Sequence, residues 1–428
     1  MQARPPKPFK ARDLTADRAT AMRFTAVLGL QMGQIFPGSF IALFLPVIYR
    51  EQGLSLEMYW VFTLPAIPTW IRPLWAPFVD RTGSRIIGMR KTWFIPCTVF
   101  GALAYLSLTQ FAPTLENLAV IITILVIKTT FMTTQDIAID GYMVENIRDE
   151  ERPVGAAVLD IGRNVARFIA WAGIAWVYTE HGWSAAVTVA SALLILFSAP
   201  GIIRREPPRP SQFDHVRPSL KNLLRRRDSY YVYPLCFGIA LMGALVQSLY
   251  PTFLSDLGFS LGEVAAVIAP AILIGSVLGA SVTSWYLGRF GYKATVLTAA
   301  FAVVLAMLPI MWMGSLEEPT FVVVFAVTLN AIALPSFLDV SFQAARLKWA
   351  SKSQAATDYT SQIVTMAAGG GLAVAVGGFM AEYLGWFYYF LVAGTLVSGA
   401  CFVLYYLFDT IEDIVEERDR TEAEGGNL

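Results

Sequence analysis

Twelve runs of about 20 residues, each nearly free of charge, punctuate the sequence and decide its class before any motif is read. A helix of that length crosses the hydrocarbon of a bilayer. In lipid every backbone polar group must be satisfied within the protein, so such runs fold as helices or not at all. They lie near 24–48, 57–79, 92–110, 117–141, 153–178, 183–203, 231–254, 263–287, 294–313, 319–343, 354–380 and 384–408. The expectation is an all-α integral membrane protein with twelve transmembrane helices. Composition agrees, with 56% hydrophobic and 15% charged residues, against roughly 25% charged in soluble domains. The second run, "LPAIPTWIRPLWAPFVD", holds Pro65, Pro68, Pro73 and Pro77 and predicts a kinked span, since proline removes a backbone donor.

Loop charge fixes an orientation. With these runs, 27 of the 32 Lys and Arg fall in the termini and the even-numbered loops. The opposite loops hold only Arg50, and Arg72, Lys128, Arg163 and Arg167 lie inside runs. The positive-inside rule puts both termini and the 204–230 connection in the cytoplasm. The N-terminal segment 1–23 is basic and Pro-rich and has no cleavable signal pattern. Net charge is zero, which gives no reason to expect a nucleic-acid partner. Cys97, Cys236 and Cys401 are far apart, and His181 and His215 lie in polar connections. Neither a metal site nor another cofactor is expected, and nothing here suggests an enzyme.

The two halves echo each other. "LPVIYREQGLSLE" (45–57) reads against "YPTFLSDLGFSLGE" (250–263), pairing Pro46 with Pro251 and Gly53 with Gly258. "DRTGSR" (80–85) reads against "GRFGYK" (288–293), pairing Arg81 with Arg289 and Gly83 with Gly291, and Asp136 has a counterpart in Asp339. A duplicated six-span unit explains all three matches. The expected domains are therefore a segment 1–23, a bundle 24–203, a linker 204–230, a second bundle 231–408 and an acidic tail 409–428. Two six-helix bundles related by pseudo-two-fold symmetry, rocking about a central cavity, are the architecture of a secondary transporter.

Charge inside the runs marks the candidate site, because a charge at bilayer depth costs at least about 2.5–3.5 kcal/mol. Run four carries Lys128, Gln135, Asp136 and, near its end, Asp140. At about 1.5 Å per residue, Lys128 lies about 12 Å deeper than Asp136. Run five carries Asp160, Arg163, Asn164, Arg167 and Trp171 on one helical stripe. Two layers follow. A shallow one of Asp136, Asp160, Arg72 and Arg163 can neutralise itself; a deep one of Lys128 and Arg167 has no carboxylate at its own depth. The deep cations, with Gln135, Arg72 and Trp171, are candidates to hold an anionic substrate. Asp136 and Asp160, with Arg163, are candidates to couple a proton, and Asp339 and Asp358 stand in reserve. Interhelical ion pairing without transport accounts for the same pattern, most directly for Asp160 and Arg163.

The stretch "WAPFVDRTGSRIIGMRK" (75–91) resembles the signature between spans two and three of the major facilitator superfamily. The resemblance implies a gating role for Asp80, Arg81 and Gly83, with Arg289 as the second-half counterpart. "TTQDIAIDGYMVE" and "EERPVGAAVLDIGRNVARF" narrow it further. They look like the branch of siderophore permeases, anhydromuropeptide permeases and acetyl-CoA transporters. The expected function is import of a medium-sized anionic solute such as a siderophore by a proton-coupled monomer in the inner membrane. An anhydromuropeptide or another acyl or peptide-like anion is the alternative. The lipid bilayer, the small anionic substrate and the coupling proton are the expected partners.

Overall fold

The computed structural model describes residues 17–84, 86–146, 162–206, 225–316, 318–350 and 355–423. Among these residues eight continuous helices are long and apolar enough to cross a membrane. Three of these are double, turned at Gly182 (φ 78°), Gly291 (φ 77°) and Gly385 (φ 71°). Only glycine adopts that left-handed backbone freely, so a single residue replaces a loop. With the broken second span, twelve spans result. They are α1 (Arg18–Glu51), α2 (56–81), α3 (Lys91–Ser107), α4 (Leu118–Asn146), α5 (162–181) and α6 (183–203). The rest are α7 (229–256), α8 (261–290), α9 (292–313), α10 (Phe321–Trp349), α11 (355–384) and α12 (386–423).

Proline accounts for α2. It consists of a 3₁₀ stretch Leu56–Ala66, a short α-helix Ile67–Ile71, a 3₁₀ turn Arg72–Leu74 and a last α-helix Ala76–Arg81. Four prolines within about 13 residues leave too few donors for a regular i→i−4 ladder, and the tighter i→i+3 geometry takes over. The expected kink is thus a sequence of short turns. A five-residue π segment, Ile169–Gly173, interrupts α5.

The described residues form two compact units, drawn from Met1–Tyr49 with Leu64–Val216 and from Arg50–Thr63 with Arg217–Leu428. In the first, α3 packs on α4 and α6. Its core sits where Val27 and Leu30 of α1 meet Val79, Phe94, Ile137 and Tyr142. Glu206, just past α6, accepts the backbone N–H of Arg90 and Lys91 at the start of α3, both at 3.0 Å. A carboxylate at a helix N-terminus satisfies orphan donors and complements the dipole. Gly88 (φ 120°) makes the turn beside it. In the second unit α10 packs against α8 and α9, and α7 against α11 and α12.

Both halves of the repeat keep left-handed glycines at Gly53 (φ 87°) and Gly258 (φ 94°). The match of Gly83 to Gly291 is looser, because the left-handed glycine of the first connection is Gly88. A fourth correspondence lies in the corners themselves: Gly182–Trp183 and Gly385–Trp386 stand 203 residues apart.

Three arginine–aspartate contacts organise the basic end of the second unit. Arg226 binds both Asp228 and Asp358, and Arg418 of α12 lies 2.6 Å from Asp228 and donates to Trp349 O at 2.9 Å. Residues 409–423 therefore continue α12, with Ile411, Ile414 and Val415 buried. Arg50 makes a two-pronged contact with Asp256, at 2.7 and 2.9 Å, and Asp256 also accepts the Trp386 indole N–H at 2.9 Å.

Candidate functional site

The first unit gathers most of the expected charges. Asp136 on α4 is buried and accepts a hydrogen bond on each oxygen, from Arg72 Nη1 on Oδ2 and from Gln34 Nε2 on Oδ1. Arg72 reaches it because the 3₁₀ turn Arg72–Leu74 places that residue at the start of a fresh turn. One helical turn away, Thr69 and Thr133 hydroxyls meet at 3.1 Å. Both contacts join residues 64 apart, so α2 and α4 run in parallel and in fixed register. Gln34 is itself held by Gln31, whose Nε2 donates to Gln34 Oε1 at 2.9 Å. The partner that Asp136 takes is thus Arg72 from α2, with amides of α1 on its other side.

Lys128 is buried two turns from Asp136, at 4% exposure. Its ammonium lies 5.3 Å from the centre of the Tyr105 ring, a cation–π contact. Tyr105 donates its hydroxyl to Pro37 O at 2.5 Å, which locks the ring between α3 and α1. Among the described residues Lys128 makes no ion pair. Arg167 donates to Asn164 Oδ1 at 3.3 Å, and both Arg163 and Arg167 have further partners. Trp171, in the π segment, donates its indole N–H to Ser39 O at 2.7 Å and ties α5 to α1.

Gln135 turns the other way. It is fully buried, and its Nε2 donates to Thr98 Oγ1 of α3 at 2.7 Å. Asp160 lies outside the described residues, as do the side chains of Asp80 and Arg81. Gly83 packs so that an added Cβ would stand 2.6 Å from Met89 O. Arg289 places its guanidinium 5.8 Å from the Phe290 ring. Asp358 belongs to the arginine network of the second unit, and Asp339 is exposed on α10. Of the aromatic side chains on these helices, Phe36 packs on Phe197, and Tyr250 donates to or accepts from Thr328 at 2.9 Å. Phe253 packs at a tilt on Trp386 and edge-on against Phe390, and Phe337 at a tilt on Tyr286. These rings fill the helix interfaces.

Sequence reasoning missed Gln31, Gln34, Tyr105 and Glu206. Two glutamines three apart in an otherwise apolar run were the available signal for the first pair. Tyr105 and Glu206 left none, since their partners are far away in sequence.

A model of the Major Facilitator Superfamily matches residues 24–336. The chain belongs to that superfamily. Among curated relatives it is 21% identical over 408 residues to a putative transporter, AmpG 4, of Rickettsia conorii, covering 89% of this chain and 95% of that one. It is 24% identical over 236 residues to the anhydromuropeptide permease of Escherichia coli K12, covering 54% of this chain and 48% of that one. Among solved structures it overlays on the nucleoside transporter NupG with a TM-score of 0.67 at 14% identity, covering 90% and 99%. A bacterial homolog of the human lysosomal transporter Spinster, inward-facing and unoccupied, gives 0.66 at 15%, covering 92% and 98%. These structural likenesses show the fold. The protein is a multi-pass membrane transporter of the twelve-helix facilitator class, a permease rather than an enzyme.

Proposed function

We propose that this transporter is a proton-coupled importer of the inner membrane, with both termini cytoplasmic, for a medium-sized anionic solute of the anhydromuropeptide kind. One observation supports this most: Lys128 is buried deep in α4 with an aromatic face beside it and no carboxylate paired to it among the described residues. A buried ammonium without a fixed counter-ion is costly, and a negatively charged passenger lowers that cost while bound. Arg167 of α5, which the sequence puts at the depth of Lys128, would supply a second, planar donor. The relatives named as anhydromuropeptide permeases favour a peptidoglycan fragment over the siderophore that the sequence put first.

Asp136 is the proton site in this reading. Protonating it removes the charge that holds Arg72 and frees α2 from α4 at that level. Gating belongs to the 80–91 connection and Arg289, by their place between spans. The test is uptake of a radiolabelled anhydromuropeptide and of a labelled ferric siderophore by cells with and without the protein. Energised accumulation of the muropeptide that a proton uncoupler abolishes is the expected result. Accumulation of the siderophore alone reverses the choice of substrate, and accumulation of neither overturns both.

A further inference from the structure

Hydrogen-bond polarity at Asp136 carries information about its proton. Arginine has donors and no acceptor. Among the described residues the oxygen facing Arg72, Oδ2, meets only that donor and has nothing to receive an acid O–H, so the proton enters at Oδ1, on the Gln34 side. There the carboxylate accepts from Gln34 Nε2, and Gln34 Oε1 accepts from Gln31 Nε2. When Oδ1 becomes O–H, two donors face each other. Gln34 has to turn its amide over and offer Oε1 to the acid. Its Nε2 then points at Gln31 Nε2, so Gln31 has to turn over as well.

We infer that Gln31 and Gln34 are a two-amide relay that reads the protonation of Asp136 on α4 and reports it along α1. Both are positioning residues. Resting on the assignment of Asp136 as the proton site, the relay adds a direction: the charged state holds both amides one way, the neutral state the other. Gln31 is 6% exposed, and an amide so placed is costly to leave with a like group facing it. The two amides therefore turn together.

Among the described residues Arg72 from α2 is the charged group in contact with Asp136; along α4 itself Asp140 lies one turn on and Lys128 two turns back. Among the described residues α1 brings Gln34, backed by Gln31, to Asp136, and α3 brings the Thr98 hydroxyl to the adjacent Gln135. The relay is thus the uncharged side of the site, and substituting it leaves every charge in place.

The experiment uses the full chain in lipid vesicles, without substrate, and follows the side-chain carboxyl stretch by infrared difference spectroscopy across a pH titration. The Asp136 band is the one missing from Asp136→Asn. Gln34→Met removes a charge-assisted donor to the carboxylate and should move the band's midpoint toward alkaline pH by at least about one unit. Gln31→Met should move it the same way by less, because it only frees Gln34 to turn. The double variant should match Gln34→Met, since both act through one chain. Gln31→Leu and Gln34→Leu repeat the series should either methionine variant fail to fold. A midpoint indifferent to Gln31, or shifts that simply add, overturns the relay and leaves the proton site standing. The lack of any titrating Asp136 band overturns the proton site and the relay together.

Discussion

Lys128 sets its ammonium 5.3 Å from the centre of the Tyr105 ring, and Tyr105 in turn donates its hydroxyl to Pro37 O. The cation is held by a surface that attracts it without neutralising it. Lys128→Met should therefore raise the KM for an anionic substrate at least about tenfold, the effect of roughly 1.4 kcal/mol, and leave a neutral amidated analogue within about twofold. Equal losses for the two would make Lys128 a packing residue. Competition uptake with matched acid and amide forms measures the difference.

Arg72 and Asp136 are both largely buried, so removing one strands the other. Arg72→Met alone should cost about 3–5 kcal/mol of stability. Adding Asp136→Asn should recover most of it, because the stranded charge is gone. The double variant should nevertheless fail to concentrate substrate on a proton gradient. Thermal unfolding in detergent reads the first effect and energised uptake the second.

Arg418 and Asp228 are each 4% exposed on their side chains and lie 2.6 Å apart. Arg418→Ala leaves Asp228 with Arg226 alone and also removes the donor to Trp349 O. A loss of about 3–5 kcal/mol is expected, against less than about 1 kcal/mol for Arg420→Ala, whose contact with Glu416 is exposed. Melting temperatures of the two variants settle the contrast.

Neighbouring glycines in α11 should answer the same substitution differently. A Cβ on Gly369 would stand 2.5 Å from Phe237 O, a backbone atom, while one on Gly370 would meet only Ala244 Cβ at 3.8 Å. Gly369→Ala should destabilise by about 1–3 kcal/mol. Gly370→Ala should be neutral or stabilise by up to about 1 kcal/mol, as alanine favours the helix. Denaturation of the two purified variants is the check.

Asp17 caps α1, accepting the backbone N–H of Thr20 at 2.8 Å and its hydroxyl at 2.7 Å. Those bonds hold its carboxyl below the ordinary 3.8. A depressed folded pKa means the cap stabilises above the ordinary value and is lost as pH falls through the lowered one. Amide exchange at Ala19–Ala21 should therefore quicken in acid below pH 3.8. In Asp17→Asn, whose amide oxygen still caps, that step should vanish.

The spans were legible because a 20-residue apolar run has one stable form in lipid, and the charges inside them stood out for the same reason. Four prolines announced a bend in α2, but spacing alone does not say that Arg72 would begin a 3₁₀ turn and reach Asp136. Asp358 read as a spare proton site; its partner Arg226 lies 132 residues away, and Asp228 and Arg418, which extend the network, lie 190 residues apart, so no local pattern joins them. The end of α12 read as an acidic tail by composition. Its spacing of Phe408, Ile411, Val415 and Arg418, all buried, is that of a helix face, and periodicity would have found it. Gln31 and Gln34 were overlooked because uncharged amides barely disturb hydropathy.

The lone glycine that turns each of the corners at Gly182 and Gly385 leaves the chain no slack there. Helices α5 and α6, and likewise α11 and α12, must travel as stiff hairpins, since one left-handed residue cannot feed out extra length. An epitope tag or protease site inserted at either corner should ruin the fold.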